Sequence, residues 1–122
     1  HLTQGDTTVI TEKFLAQEEM VSVDTAYFLS LVQGVLEDKV SLDTQLQLFL
    51  DRPLKELDLV ELAILRLGAY ELSQHPEVPY KVILNESIEL AKMFGATDSY
   101  KYINGILHLL AKKIRVLEFK DK

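Results

Sequence analysis

The sequence predicts an all-α fold, on three observations. Only three prolines and five glycines interrupt 122 residues, so long stretches contain nothing that breaks a helix. Apolar residues recur at three- and four-residue spacing from Phe28 to Ile114, the period of one helix face. No segment sustains the apolar–polar alternation of a strand. The hydrophobic content of 48% and the length suit one domain with a substantial core.

In chain order, residues 8–18 read as a short helix, with Val9, Ile10, Phe14 and Leu15 at helical spacing. Ser22 or Asp24 can cap a longer helix to about residue 38, whose apolar face is Phe28, Leu31, Val32, Val35 and Leu36. Ser41 is the expected cap of a further helix carrying Leu42, Leu46, Phe49 and Leu50, with Pro53 in the loop after it. Residues 58–72 are the most apolar stretch. A helix that is apolar all round is central and buried. Its charges Glu61, Arg66 and Glu71 point in three directions, so each must find a partner or an edge. Arg66 is expected to be structural, with Glu86 as its partner. Gly68 costs a helix roughly 1 kcal/mol against Ala, so close packing is the expected reason for it. Pro76 and Pro79 break the chain, and Pro79 suits the start of a helix over residues 80–94. Gly95 is the expected stop, in the left-handed conformation. Thr97 or Asp98 then caps a last helix burying Ile103, Ile106, Leu107, Leu110 and Ile114.

Composition excludes several functions. Without cysteine there are no disulfides, thiol nucleophiles or Cys-based zinc sites, which fits a reducing, cytoplasmic setting. No apolar run approaches the roughly 18 residues of a membrane span. Residues 1–20 are polar and acidic, unlike a signal peptide. His1, His75 and His108 stand alone, without metal-ligand spacing. There is no glycine-rich phosphate loop and no nucleophile elbow. Carboxylates such as Glu86 and Glu89 lie at ordinary helix-surface spacing, which suits salt bridges and caps. No catalysis, metal or cofactor is expected.

The net charge of −6 argues against wholesale nucleic-acid binding, but the charge is uneven. Residues 1–80 carry five basic and fourteen acidic side chains; residues 81–122 carry eight and five. Two features follow. Lys101, His108, Lys112 and Arg115 recur on one helix face, either as a solvated stripe near a helix C-terminus or as a phosphate-binding one. Tyr80-Lys81 and Asp98-Ser99-Tyr100-Lys101-Tyr102 open two helices. Tyrosines interleaved with lysines suit single-stranded RNA, where bases stack on rings and phosphates meet cations. On pattern alone they suit core aromatics beside snorkelling lysines better.

Three runs resemble the NusB family of bacterial transcription antitermination factors. They are Ala63-Ile-Leu-Arg-Leu-Gly-Ala-Tyr-Glu-Leu72, Val78-Pro-Tyr-Lys-Val-Ile-Leu-Asn-Glu-Ser-Ile-Glu-Leu-Ala-Lys92 with Phe94-Gly95, and Lys101-Tyr-Ile-Asn-Gly-Ile-Leu107. A weaker match upstream, through Phe14-Leu-Ala-Gln17 and Val23-Asp24 to Tyr27-Phe28, extends it over nearly the whole chain. The resemblance implies one compact all-helical domain over residues 1–122, with two small bundles of roughly residues 1–52 and 53–122. It implies a non-enzymatic protein that binds the single-stranded boxA element of ribosomal RNA leaders as a heterodimer with NusE, a small-subunit ribosomal protein. The pair would join NusA and NusG on RNA polymerase and promote read-through. No membrane partner is implied.

By the same resemblance, Tyr80, Lys81, Asp98, Tyr100, Lys101 and Tyr102 are the RNA-binding candidates. Asp98 would accept a hydrogen bond from a base or cap its helix, since a carboxylate repels phosphate. Glu61 and its neighbour Glu56 are the candidates for the protein partner. The family begins with an arginine-rich helix that has no counterpart in these 122 residues. Residue 1 is His, and Thr3-Gln4-Gly5-Asp6 reads as a loop or helix end, so a preceding segment is expected. Without that helix, weaker RNA binding, an uncovered apolar groove and homodimerisation are expected. Two alternatives stand beside the antitermination reading. One is the N-terminal RNA-binding domain of a ribosomal RNA cytosine methyltransferase, against which no Rossmann-like segment follows. The other is a protein-interaction module without RNA binding.

Overall fold

Phe28, Leu31, Val35, Leu42 and Leu46 lie on one 100°-per-residue stripe, and they build a single helix, α1 (Thr25–Gln47). The computed structural model describes residues 25–120. The helix expected over residues 8–18 and the caps Ser22 and Asp24 lie outside them. The break expected near residue 38 does not occur, and Ser41 sits exposed in mid-helix rather than capping anything. Residues 39–41 hold neither Gly nor Pro. Continuing the helix returns Leu42 and Leu46 to the face that Val35 already buries, at 1%, 0% and 1% exposure, so cooperativity favours the uninterrupted form.

A loop and a 3₁₀ turn (Leu54–Glu56) lead into α2 (Leu59–Gln74). Asp58 caps α2, its carboxylate accepting from the Val60 N–H at 2.6 Å and the Glu61 N–H at 3.4 Å. As its composition predicts, α2 is the central helix and packs on α1, α3 (Tyr80–Phe94) and α4 (Ser99–Ile114). A Cβ on Gly68 would stand 2.6 Å from Leu107 Cδ1 of α4, so this glycine sets how closely the two helices approach. Gly34 does the same on α1, where a Cβ would stand 2.1 Å from the Tyr70 ring.

The two buried charges of α2 have partners. Arg66 is fully buried, and its partner is Asp43 of α1, not Glu86. Nε and Nη2 donate to the two carboxylate oxygens at 2.7 and 2.6 Å. The same α1 turn that the unbroken helix carries into the core supplies this carboxylate. Glu71 accepts from the Tyr27 hydroxyl at 2.8 Å.

Helices α3 and α4 form an antiparallel hairpin. Pro79 precedes Tyr80, the first residue of α3. Gly95 ends α3, but with extended backbone (φ −93°, ψ 173°) rather than left-handed. The left-handed residue is Asp98, at φ 66°, where α4 begins. The reversal is thus made at the start of α4, and the need for glycine at position 95 is steric: a Cβ there would lie 2.7 Å from the Ala91 carbonyl oxygen and 2.4 Å from Ser99 Oγ.

Arg115 closes α4 and leaves the predicted basic stripe. It is 6% exposed, not solvated. Nε donates to the Leu72 carbonyl at 3.0 Å, Nη1 to Val78 at 2.8 Å and Nη2 to His75 at 2.9 Å. It also pairs with Glu118 on the short α5 (Val116–Lys120). One guanidinium therefore satisfies the carbonyls at the end of α2 and in the loop before α3.

Candidate nucleic-acid interface

Asp98 opens α4 with left-handed backbone. Its carboxylate makes no capping hydrogen bond and lies 3.7 Å from Lys101 Nζ, both side chains exposed. Tyr100, Lys101 and Tyr102 follow on the first turn of α4. At 100° per residue the two tyrosines point to nearly opposite sides with Lys101 between them. Both rings are half-buried against the core.

Each tyrosine meets a cation from elsewhere in the fold. Lys92, from the last turn of α3, places Nζ 5.0 Å from the Tyr100 ring centroid, and Lys101 lies 6.0 Å from it. Arg52, from the loop after α1, lies with Cζ 4.8 Å from the Tyr102 centroid. The Tyr102 hydroxyl donates to Asp51 Oδ1 at 3.1 Å. Arg52 holds the same carboxylate, Nε donating to Oδ1 at 2.8 Å and Nη2 to Oδ2 at 3.3 Å. The Arg52 hydrogen bond, with smaller help from Tyr102, pulls the Asp51 carboxyl below its ordinary range. Burial, then the Asp51 bond and charge, push the Tyr102 phenol up.

Arg52 also links this cluster to Glu61. Burial, then the neighbouring Asp58 carboxylate, raise the Glu61 carboxyl, and Arg52 pulls it the other way. Glu61 is half-buried in the first turn of α2, while Glu56 is exposed in the 3₁₀ turn before it. Arg52 thus stands against the RNA candidate Tyr102 and acts electrostatically on the protein-partner candidate Glu61.

Tyr80 and Lys81 do not join this cluster. They open α3, whose other end carries Lys92, and Lys81 is about 16 Å along the helix from it at 1.5 Å per residue. Tyr80 is 7% exposed and stacked on Phe119 at 4.3 Å, with His108 6.4 Å away. Its N–H donates to Glu118 Oε1 at 2.9 Å. The Tyr80 ring is thus packed inside, and only Lys81 faces solvent.

Sequence reasoning missed Asp51, Arg52 and Lys92. Lys92 had a signal: a short antiparallel turn sets the last turn of one helix beside the first turn of the next. Arg52 had none, because fifty residues separate it from Tyr102. Among the described residues no group of His, Asp or Glu could hold a metal, and no helix is long and apolar enough to cross a membrane. The arrangement offers aromatic rings, cations and hydrogen-bond acceptors, a chemistry of binding.

Comparison with known proteins identifies the family. A family model described as the NusB family matches residues 3–112. The chain is 46% identical over 122 residues to the transcription antitermination protein NusB of Marinobacter nauticus, covering all of this chain and 77% of that protein. It is 50% identical over 113 residues to that of Alcanivorax borkumensis, covering 93% and 75%. The fold matches a solved structure of T. maritima NusB with a TM-score of 0.70 at 24% identity, over 96% of each chain.

Proposed function

Since the chain belongs to the NusB family, whose members are non-enzymatic transcription antitermination proteins, we propose that it binds boxA RNA as a heterodimer with NusE. In that state it joins NusA, NusG and RNA polymerase and promotes read-through in ribosomal RNA operons, in the bacterial cytoplasm where transcription runs. The observation that carries the reading is the start of α4. There Tyr100 and Tyr102 each stand beside a cation from another element, Lys92 and Arg52, with Lys101 exposed between them. Rings and cations at this spacing serve bases and phosphates together.

Asp98 is set to accept from a base amino group while its charge is balanced by Lys101. Lys81 supplies a phosphate contact further along the α3–α4 hairpin, and the packed Tyr80 ring holds that helix start in place. Glu56 and Glu61 present carboxylates to NusE. In this reading the chain divides into two bundles of roughly residues 1–52 and 53–122; among the described residues the Arg66–Asp43 pair joins α1 to α2, and the Tyr102–Asp51 bond joins the loop after α1 to α4.

The test is a titration with boxA-like single-stranded RNA, with and without NusE, at two salt concentrations. Binding should weaken with salt and strengthen with NusE. Tyr102→Ala should cost about 1–3 kcal/mol, the value of one stacked base. RNA binding that ignores salt, NusE and Tyr102 alike would overturn the reading.

A further inference from the structure

The loop carrying Arg52 is held in place rather than left to hang. The Gln47 side chain clamps it from both sides, its Nε2 donating to the Arg52 carbonyl at 3.0 Å and its Oε1 accepting from the Leu54 N–H at 3.2 Å. On this held backbone the Arg52 guanidinium and the Tyr102 hydroxyl converge on one anion. That anion is the Asp51 carboxylate, which accepts from Nε, Nη2 and the phenol at 2.8, 3.3 and 3.1 Å.

A guanidinium edge plus one hydroxyl is also a donor set for two non-bridging phosphate oxygens. Nothing buries the present occupant. The Asp51 and Arg52 side chains are 68% and 43% exposed. An ion pair this open is weak, and its carboxylate can turn to water at little cost. Arg52 also stands over one face of the Tyr102 ring, so the donors and the ring form one cluster.

We infer that Arg52 and the Tyr102 hydroxyl form a site for one phosphodiester of single-stranded RNA, which Asp51 fills in the free protein and yields on binding. This deepens the RNA reading above and rests on it. Asp51 acts as a built-in competitor: binding exchanges a carboxylate for a phosphate on the same donors. Arg52 remains bound to an anion throughout and never becomes an unpaired cation.

The experiment is an anisotropy titration of the full chain with NusE and a boxA-like RNA across a salt series. Asp51→Asn, Arg52→Gln, the double variant and Tyr102→Ala are compared, with circular dichroism confirming that each folds. Asp51→Asn should tighten binding by about 1.4- to fivefold, the range an exposed ion pair spans. Arg52→Gln should weaken binding and flatten the log–log salt slope by about 0.7, the single-strand value for one phosphate. In the double variant the gain from Asp51→Asn should vanish, because the freed donor is gone. A gain that survives without Arg52 would reflect net charge alone and overturn the proposal, as would no gain at all. If Tyr102→Ala still weakens binding in that case, the RNA reading stands and only the exchange fails. If Tyr102→Ala changes nothing, or no variant binds RNA, both fall.

Discussion

Arg66 and Asp43 show how one residue pair decides a packing arrangement. The guanidinium is fully buried and meets its carboxylate along two hydrogen bonds, while Nη1 has no partner among the described residues. A charge so placed is tolerable only with its counter-ion. Asp43→Ala should therefore destabilise the fold by about 3–5 kcal/mol, far more than an exposed aspartate would. Chemical denaturation of the two proteins checks this. A loss below 1 kcal/mol would mean that water reaches the guanidinium. The sequence showed that Arg66 needed an anion but could not say which. Asp43 and Glu86 both lie about twenty residues away, and only the uninterrupted course of α1 places Asp43 against α2.

Among the helices, two glycines of similar local sequence weight have opposite structural meaning. Gly68 lies where α2 meets α4, with fully buried Leu107 against the position a Cβ would take. Gly105 is exposed on α4 with nothing within 4 Å of that position. Gly68→Ala should cost about 1–3 kcal/mol through overpacking, outweighing its gain in helix propensity. Gly105→Ala should stabilise by about 0.4–1 kcal/mol through the unfolded state. Paired thermal melts read both signs, and a stabilised Gly68→Ala would show that α2 and α4 can separate freely. Close packing at Gly68 was legible from an apolar helix that kept a glycine. The conformation of Gly95 was not: glycine after a helix fits both a left-handed stop and a tight approach, and here the approach to Ala91 and Ser99 decides.

Over the whole molecule, burial sets a pH dependence that opposes ordinary acid denaturation. Burial raises the carboxyls of Glu61, Glu71 and Glu86; Asp58 adds to the rise at Glu61, and Glu71 to that at Glu86. For Glu71, the Tyr27 hydrogen bond works against the rise without cancelling it. A carboxyl with a raised folded-state pKa binds its proton more tightly when folded. Its stabilising contribution is complete below the ordinary glutamate range and is lost as pH rises through the raised value. The Glu71→Gln variant lacks this contribution at every pH. The stability of the unsubstituted chain relative to Glu71→Gln should thus improve as pH falls from about 8 to about 5. Denaturation curves at both ends of that range measure it, and a difference independent of pH would show that Glu71 is solvated. Asp51 and Glu77 run the other way, each lowered first by a hydrogen bond, from Arg52 and His75.

The sequence by itself determined the helical class, the central place of α2, the Asp58–Leu72 core, the span of α3 and the buried face of α4. Each follows from local physics: a 3.6-residue apolar period and a proline at a helix start. The resemblance of three runs to the NusB family, confirmed by comparison, named the protein's class in the same way. Only the tertiary structure decided which polar groups face water. It buried Tyr80 against Phe119, drew Arg115 inward onto three carbonyls, matched Arg66 with Asp43, and set Lys92 and Arg52 beside the two α4 tyrosines. Those outcomes depend on which surface covers which. A side chain's partner can lie fifty residues away, and no local pattern records where the chain returns.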